Sequence, residues 1–183
     1  MNISHLMTTD VKSCGQNDNL QRAAQIMWEN DCGVVPVVDA ENRVVGMITD
    51  RDVCMGAYTQ GLPLRLIAVS SAMSKQVHSV RENDALEAVE TMMRQARIRR
   101  VPVLDGSGHL RGILSMNDVA RHGHRSAGRN TNGLSGDSIV QTLAAICEPH
   151  VAPRHLRTTV EGLPHDGVER STGPRRRSGK ASP

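Results

Sequence analysis

Shifted by 66 positions, the distance from Gly46 to Gly112, the chain lies over itself without a gap. Met7 falls on Met73, Val11 on Val77, Ser13 on Ser79, Asn17 and Asp18 on Asn83 and Asp84, Leu20 on Leu86, and Met27 on Met93. Farther on, Val35, Pro36 and Val37 fall on Val101, Pro102 and Val103, Asp39 on Asp105, and Asp52 and Val53 on Asp118 and Val119. Chance does not spread ungapped identities over so long a stretch. Two copies of so long a period do not make a solenoid. The chain is a tandem duplication of one small α/β unit.

Local patterns predict what that unit contains. A brief strand is expected over 11–14, then cap chemistry at 16–19. A helix follows, with Leu20, Ala23, Ala24 and Met27 at the spacing of one apolar face. Val34, Val35, Pro36, Val37 and Val38 form a continuous apolar run, the mark of a buried strand. The proline inside it points to an edge position or an irregular start. Residues 39–42 make a hairpin turn, 44–49 a return strand and 50–58 a second helix, so the unit reads β-α-β-β-α. The second copy runs the same course, with a strand over 77–80 and Asn83 and Asp84 as helix caps. Its strands over 101–104 and 110–115 are joined by the turn residues Asp105, Gly106, Ser107 and Gly108, and a helix from Met116 to about His122 closes it. The fold class is therefore α/β (α+β): repeat 1 over 2–60, a linker over 61–72 and repeat 2 over 73–123. A loose linker over 124–137, a short helix over 138–148 and a disordered basic tail over 149–183 follow. The short helix presents Ile139, Val140, Leu143, Ile146 and Cys147 near one face, with Asp137 or Ser138 as cap, and needs a partner for that face.

Each copy carries one chemically suggestive stretch: Gly46, Met47, Ile48, Thr49, Asp50, Arg51, Asp52, and Gly112, Ile113, Leu114, Ser115, Met116, Asn117, Asp118. A hydroxyl residue at the end of a strand, with a carboxylate three residues on, is the signature of a helix N-terminus. Unpaired N–H groups and the helix dipole make such a terminus receptive to anions. A repeated fold repeats its caps as well, so the motif alone does not settle a function.

Composition narrows the field. With no Phe, one Trp and one Tyr, the core must be aliphatic, helped by nine Met. No run approaches the roughly 18 apolar residues of a membrane helix, and residues 1–9 lack a signal-peptide pattern; the expected location is cytoplasmic. Cys14, Cys32, Cys54 and Cys147 make no metal-ligand spacing. Cys14 and Cys32 flank the first helix, which leaves a redox pair open. The stretch from Glu148 onward holds four acidic and seven basic residues, which accounts for the whole formal charge of +3. The folded part is neutral overall and gives no nucleic-acid signal. Arg175, Arg176 and Arg177 are read as part of a solvated tail rather than as an RNA or membrane contact.

Two β-α-β-β-α units, each with a Val-Pro-Val strand and a Gly-apolar-apolar-Thr/Ser-x-x-Asp end, resemble a CBS-domain pair, or Bateman module, over about residues 2–122. The short helix that ends at Ala145, Ile146, Cys147, Glu148 and Pro149 resembles, more loosely, the tail of small stand-alone bacterial CBS-pair proteins, including a hypoxic-response type. The resemblance implies two repeats packed with pseudo-twofold symmetry, a flat homodimer, and clefts between repeats that bind AMP, ADP, ATP or S-adenosylmethionine. In those terms Asp52 and Asp118 accept ribose hydroxyls, and Thr49 and Ser115 sit by the phosphate or ribose. Val34, Val35, Ile48, Val101 and Leu114 would sandwich the base. Arg51, Arg99 and Arg100 are the nearest cations for phosphates, and Lys12 and His78 hold matching places on the first strands. The Asp50–Arg51 pair of the first motif is replaced by Met116 and Asn117 in the second, so the two sites are expected to differ.

Three functions compete. The leading one is a non-catalytic adenosine-nucleotide sensor that signals to a protein partner in trans. The second is an enzyme, but no paired nucleophile and base, phosphate-binding glycine loop or ligand-spaced His/Cys cluster stands out, so no catalytic or metal residue is assigned; His122 and His124 are thin grounds for a metal. The third is a nucleotide-free dimeric interaction or redox-responsive stress protein.

Overall fold

The structure, a computed structural model, describes residues 3–126 and 136–148. The described residues belong to the unit Met1–Glu148. The expected disordered tail over 149–183, its arginines, and positions 127–135 of the expected linker lie outside them.

Repeat 1 comprises β1 (Cys14–Gly15), α1 (Leu20–Glu29), β2 (Val34–Val38), β3 (Val44–Thr49) and α2 (Asp50–Gln60). The short α3 (Val69–Ala72) leads into repeat 2, which comprises α4 (Leu86–Ala96), β4 (Arg100–Leu104), β5 (Leu110–Ser115) and α5 (Met116–Ser126). A last helix, α6, spans Gly136–Cys147. Strand order is β1-β2-β3 in one sheet and β4-β5 in the other. The hairpin registers are images of each other: Val35 faces Ile48 and Val101 faces Leu114, with an irregularity at the same place in each pair. The cores are images too. Leu20, Met27, Val35, Val37 and Ile48 build the first, and Leu86, Met93, Val101, Val103 and Leu114 build the second.

The first strand of each unit is shorter than expected, and a proline is the reason. Val80 bridges Val103 in parallel; its N–H donates to the Pro102 carbonyl at 3.1 Å, and its carbonyl accepts the Leu104 N–H at 2.8 Å. The next rung toward the N-terminus needs an N–H from Pro102, which has none. The strand expected over 77–80 thus shrinks to a single bridge. The one expected over 11–14 shrinks likewise to Cys14–Gly15, which pairs with Val37 and Val38. Pro36 therefore sits in a central strand rather than at an edge, opposite backbone that has already left the sheet.

Segments are also exchanged between the repeats. Ser74 pairs with Met47 of β3 through two hydrogen bonds of 2.9 and 3.0 Å. Thr8 pairs with Ile113 of β5 through two of 2.9 Å. Ile3, ahead of β1 in sequence, is buried in the second core. These crossings need the two motif glycines. A Cβ on Gly46 would lie 2.6 Å from Met73 Sδ and 3.0 Å from the Ser74 carbonyl; one on Gly112 would lie 2.7 Å from Met7 Sδ and 2.8 Å from the Thr8 carbonyl.

Helix capping departs from expectation in the second copy. Asn19 caps α1 by accepting the Arg22 N–H at 3.0 Å. Ala85 holds the same place on α4 and gives no side-chain cap, while Asp84 accepts the Arg81 N–H at 2.8 Å instead. The hairpin turns are held alike. Asp39 accepts the N–H groups of Glu41 and Arg43, and Asp105 those of Ser107 and His109.

Candidate functional site: two clefts between the repeats

Two clefts lie where each repeat meets the segment exchanged into it. The first, of about 390 Å³, is lined by Thr49, Asp50, Arg51 and Asp52 of one repeat, and by Ser74, Gln76, His78, Arg97, Arg99, Arg100 and Pro102 of the other side. The second, of about 270 Å³, is lined by Ser115, Asn117, Asp118 and Arg121, facing Thr8, Asp10, Lys12, Asp31 and Cys32. The shift of 66 maps one onto the other: Ser74 onto Thr8, Gln76 onto Asp10, His78 onto Lys12, Arg97 onto Asp31. Val34 and Arg100, images of each other, line both. The prolines that cut the first strands also release Lys12 and His78 from the sheets to face the clefts.

Each cleft is floored by a helix N-terminus. Thr49 caps α2 and accepts the Asp52 N–H at 3.2 Å, while Asp52 Oδ2 accepts the Thr49 N–H at 2.9 Å and the Thr49 hydroxyl at 2.7 Å. Ser115 and Asp118 repeat this box on α5. The second carboxylate oxygen separates the two. Asp118 Oδ1 is gripped by the Arg121 guanidinium. Asp52 Oδ1 accepts no hydrogen bond from the described residues.

Charge separates them further. The first cleft gathers Arg51, Arg97, Arg99 and Arg100 against Asp50 and Asp52, with His78 in addition. The second balances Lys12, Arg100 and Arg121 against Asp10, Asp31 and Asp118, and Lys12 is paired to Asp10 at 2.7 Å. Asp50 turns its carboxylate toward Gly33 and accepts the Arg51 N–H at 2.7 Å. Its image Met116 is buried in the second core.

Of the residues singled out from sequence, Thr49, Arg51, Asp52, His78, Arg99 and Arg100 line the first cleft; Lys12, Ser115, Asp118 and again Arg100 line the second. Val35, Ile48, Val101 and Leu114 do not have the place expected for them. All four are fully buried, facing each other across the hairpins on the core side, and line neither cleft. Strand alternation explains this: their neighbours point the other way, so the apolar lining comes from Val34, Met47 and Pro102 in the first cleft and from Val11, Val34 and Ile113 in the second. Arg97 escaped the sequence reading. It lies in the left-handed region at φ 52°, as its image Asp31 does at φ 46°. Arg97 ends α4, where a left-handed residue is a common helix terminator, so its place in the cleft wall rather than its backbone is what singles it out. Applying the repeat shift to every wall position would have found it.

Among the described residues no group of His, Cys, Asp and Glu is arranged to hold a metal. The four cysteines are free, and the thiol of Cys14 is pushed up to about 11, first by burial and then by the charge of Asp18. No described helix is long and apolar enough to cross a membrane.

Known proteins share this architecture. The CBS domain family matches residues 3–56 and 69–125. Hypoxic response protein 1 of Mycobacterium tuberculosis is 31% identical over 144 residues, 79% of this chain and 92% of that protein. The CBS domain-containing protein YhcV of Bacillus subtilis is 33% identical over 139 residues, 75% of this chain and 97% of that one. The crystal structure of Hypoxic Response Protein I with two coordinated zinc ions superposes with a TM-score of 0.61 at 30% identity, covering 67% of this chain and 98% of that one. The CBS domain pair of protein MJ0100, in complex with 5-methylthioadenosine and S-adenosyl-L-methionine, gives 0.62 at 22% identity, covering 69% and 98%. With both copies matched and the relatives covered almost end to end, the chain belongs to the CBS domain family and carries two such domains as a pair.

Proposed function

We propose that this protein is a non-catalytic regulatory module that binds an adenosine nucleotide in the first cleft and signals to a partner in trans. The carrying observation is the convergence, in one cleft, of an open Asp52 carboxylate oxygen, the α2 N-terminus and four arginines. A carboxylate at that place accepts ribose hydroxyls, while arginines and a helix N-terminus favour phosphate oxygens. The excess of cations selects phosphate-rich ligands, ADP and ATP, over AMP, and selects against the cationic S-adenosylmethionine. The volume of about 390 Å³ falls within the range of roughly 300–1,000 Å³ usual for small-molecule sites. The second cleft, at about 270 Å³ and with its aspartate already paired, is assigned no phosphate-bearing ligand. The MJ0100 pair supports adenosine chemistry in such a fold; its ligands carry no phosphate.

The partner in assembly is a second copy of the chain. Trp28 on α1 is 88% exposed, and Met55 and Tyr58 on α2 are also open to solvent. Large apolar side chains grouped on the helices of one repeat suit an interface better than water. Sedimentation of wild type and Trp28→Asp checks this: a dimer that becomes a monomer in the variant supports it, and a wild-type monomer refutes it. The redox alternative is weakened by Cys14, whose raised pKa keeps it a thiol at neutral pH.

Calorimetry with ATP, ADP, AMP and S-adenosylmethionine tests the nucleotide reading. One site per chain for ATP or ADP, weakened by about tenfold or more in Asp52→Asn and kept in Asp118→Asn, is the expected result. No binding at millimolar concentration, or loss only in Asp118→Asn, refutes it.

A further inference from the structure

We propose that α6 is an arm whose docking is coupled, through Arg97, to occupancy of the first cleft; this rests on the nucleotide reading above. Arg97 takes part in two structures at once. It lines the cleft, and its Nη2 donates to Glu148 Oε2 at 2.9 Å. Glu148 immediately follows α6, so one guanidinium connects the nucleotide wall to the end of the last helix.

The rest of the seat of α6 is held in a way that permits release. Ile139 and Ile146 pack against the second core. Beside them two contacts are polar: the Ser138 hydroxyl donates to Glu90 Oε2 at 2.8 Å, and Arg94 Nη2 donates to Thr142 Oγ1 at 3.3 Å. Glu90 is 2% exposed, and both Glu90 Oε1 and Arg94 Nε are buried without a partner among the described residues. A carboxylate and a guanidinium covered by a helix that leaves atoms of each unsatisfied make a costly interface; lifting the helix returns those atoms to water. An apolar seat would have no such reason to open. Ala24 and Trp28, the images of Glu90 and Arg94, show what an apolar version of this face looks like in the first repeat.

A terminal phosphate offers Arg97 an anion of higher charge than a carboxylate, and one that suits the planar guanidinium fork. When phosphate draws Arg97 inward, Glu148 loses its partner and the docking equilibrium of α6 moves toward release. The coupling is reciprocal: docked Glu148 competes with phosphate, so removing its charge strengthens nucleotide binding by the factor by which it loosens the helix. Both groups are partly exposed, so the factor is that of a surface ion pair, about two- to fivefold. Alone, a helix of 12 residues is marginal, so a released α6 exchanges its amides rapidly.

Hydrogen exchange of the full chain, followed on peptides covering α6, tests this with ATP as probe and Glu148→Gln as variant. Saturating ATP is expected to speed exchange in α6 about two- to fivefold. Glu148→Gln should exchange faster without ATP, and calorimetry should show it binding ATP more tightly by a similar factor. ATP binding with α6 exchange unchanged or slowed overturns the coupling and leaves the nucleotide reading intact. Unchanged exchange in ATP-free Glu148→Gln also overturns it. Absence of ATP binding refutes the nucleotide reading and this proposal together.

Discussion

The two clefts descend from one design and have parted company in their charges. Each has a hydroxyl–carboxylate box at a helix N-terminus, a wall from an exchanged segment and a left-handed residue at the rim. In the first cleft the wall positions carry arginine and the aspartate keeps one oxygen open. In the second, Arg121 and Lys12 are spent on Asp118 and Asp10, leaving no net attraction for an anion. Duplication supplied two places of one design; side chains that differ between the copies, Arg51 and Asn117 among them, set their charges apart.

The sharpest way to break this contrast is to neutralise the two aspartates separately. Asp52→Asn keeps a capping acceptor and removes the charge, and should weaken ATP or ADP binding by about 1.5–3 kcal/mol, roughly ten- to 150-fold by calorimetry. Asp118→Asn should leave that affinity within a factor of two. Equal losses in both would make the clefts equivalent.

Next in size are the motif glycines, which test whether the exchanged segments build both clefts. Gly46→Ala drives a methyl into Met73 and the Ser74 carbonyl, and should cost about 1–3 kcal/mol in urea unfolding. Gly112→Ala should cost as much through Met7 and Thr8, but only Gly46→Ala should also weaken nucleotide binding, since Ser74 lines the first cleft.

A smaller effect comes from the unequal helix caps. Ala85 has the extended conformation of an N-cap without its hydrogen bond, at φ −72° and ψ 137°. Ala85→Asn should therefore stabilise the protein by about 1 kcal/mol in chemical unfolding, and Asn19→Ala should destabilise it by a similar amount.

The smallest concerns the turns. Asp39 is held below the usual carboxylate range first by the Arg43 N–H and then by the Arg43 side chain; Asp105 is held there first by the His109 N–H and then by the Ser107 N–H. A lowered native pKa means that the unfolded chain binds more protons. Their contribution is then present above about pH 4 and is lost as pH falls below it. Melting temperatures of Asp39→Asn and Asp105→Asn should fall less steeply on acidification below about pH 4 than that of wild type.

Local physics was legible in the chain and long-range physics was not. The repeat, the helices, the hairpin turns and the boxes Thr49–Asp52 and Ser115–Asp118 rest on interactions a few residues apart, which a spacing rule captures. The first strands were overextended because the loss of one N–H at Pro36 or Pro102 matters only once the partner strand is known. Four of the five base-sandwich residues, Val34 excepted, were misplaced because a run such as Val34–Val38 has no polar alternation to show which side faces the core; pairing with β3 and β5 decides it.

The sequence by itself determined that this protein is two copies of one β-α-β-β-α unit, and that each copy ends a strand in a helix capped by a hydroxyl–carboxylate box. Only the tertiary structure decided how the clefts are assembled, because segments 3–8 and 69–74 cross to the opposite repeat. That crossing brings Arg97, Arg99 and Arg100 over the Thr49–Asp52 box, and sets Asp10 and Asp31 over Ser115 and Asp118. Neither neighbourhood is local in the chain, so the balance of charge that separates the two clefts exists only after folding.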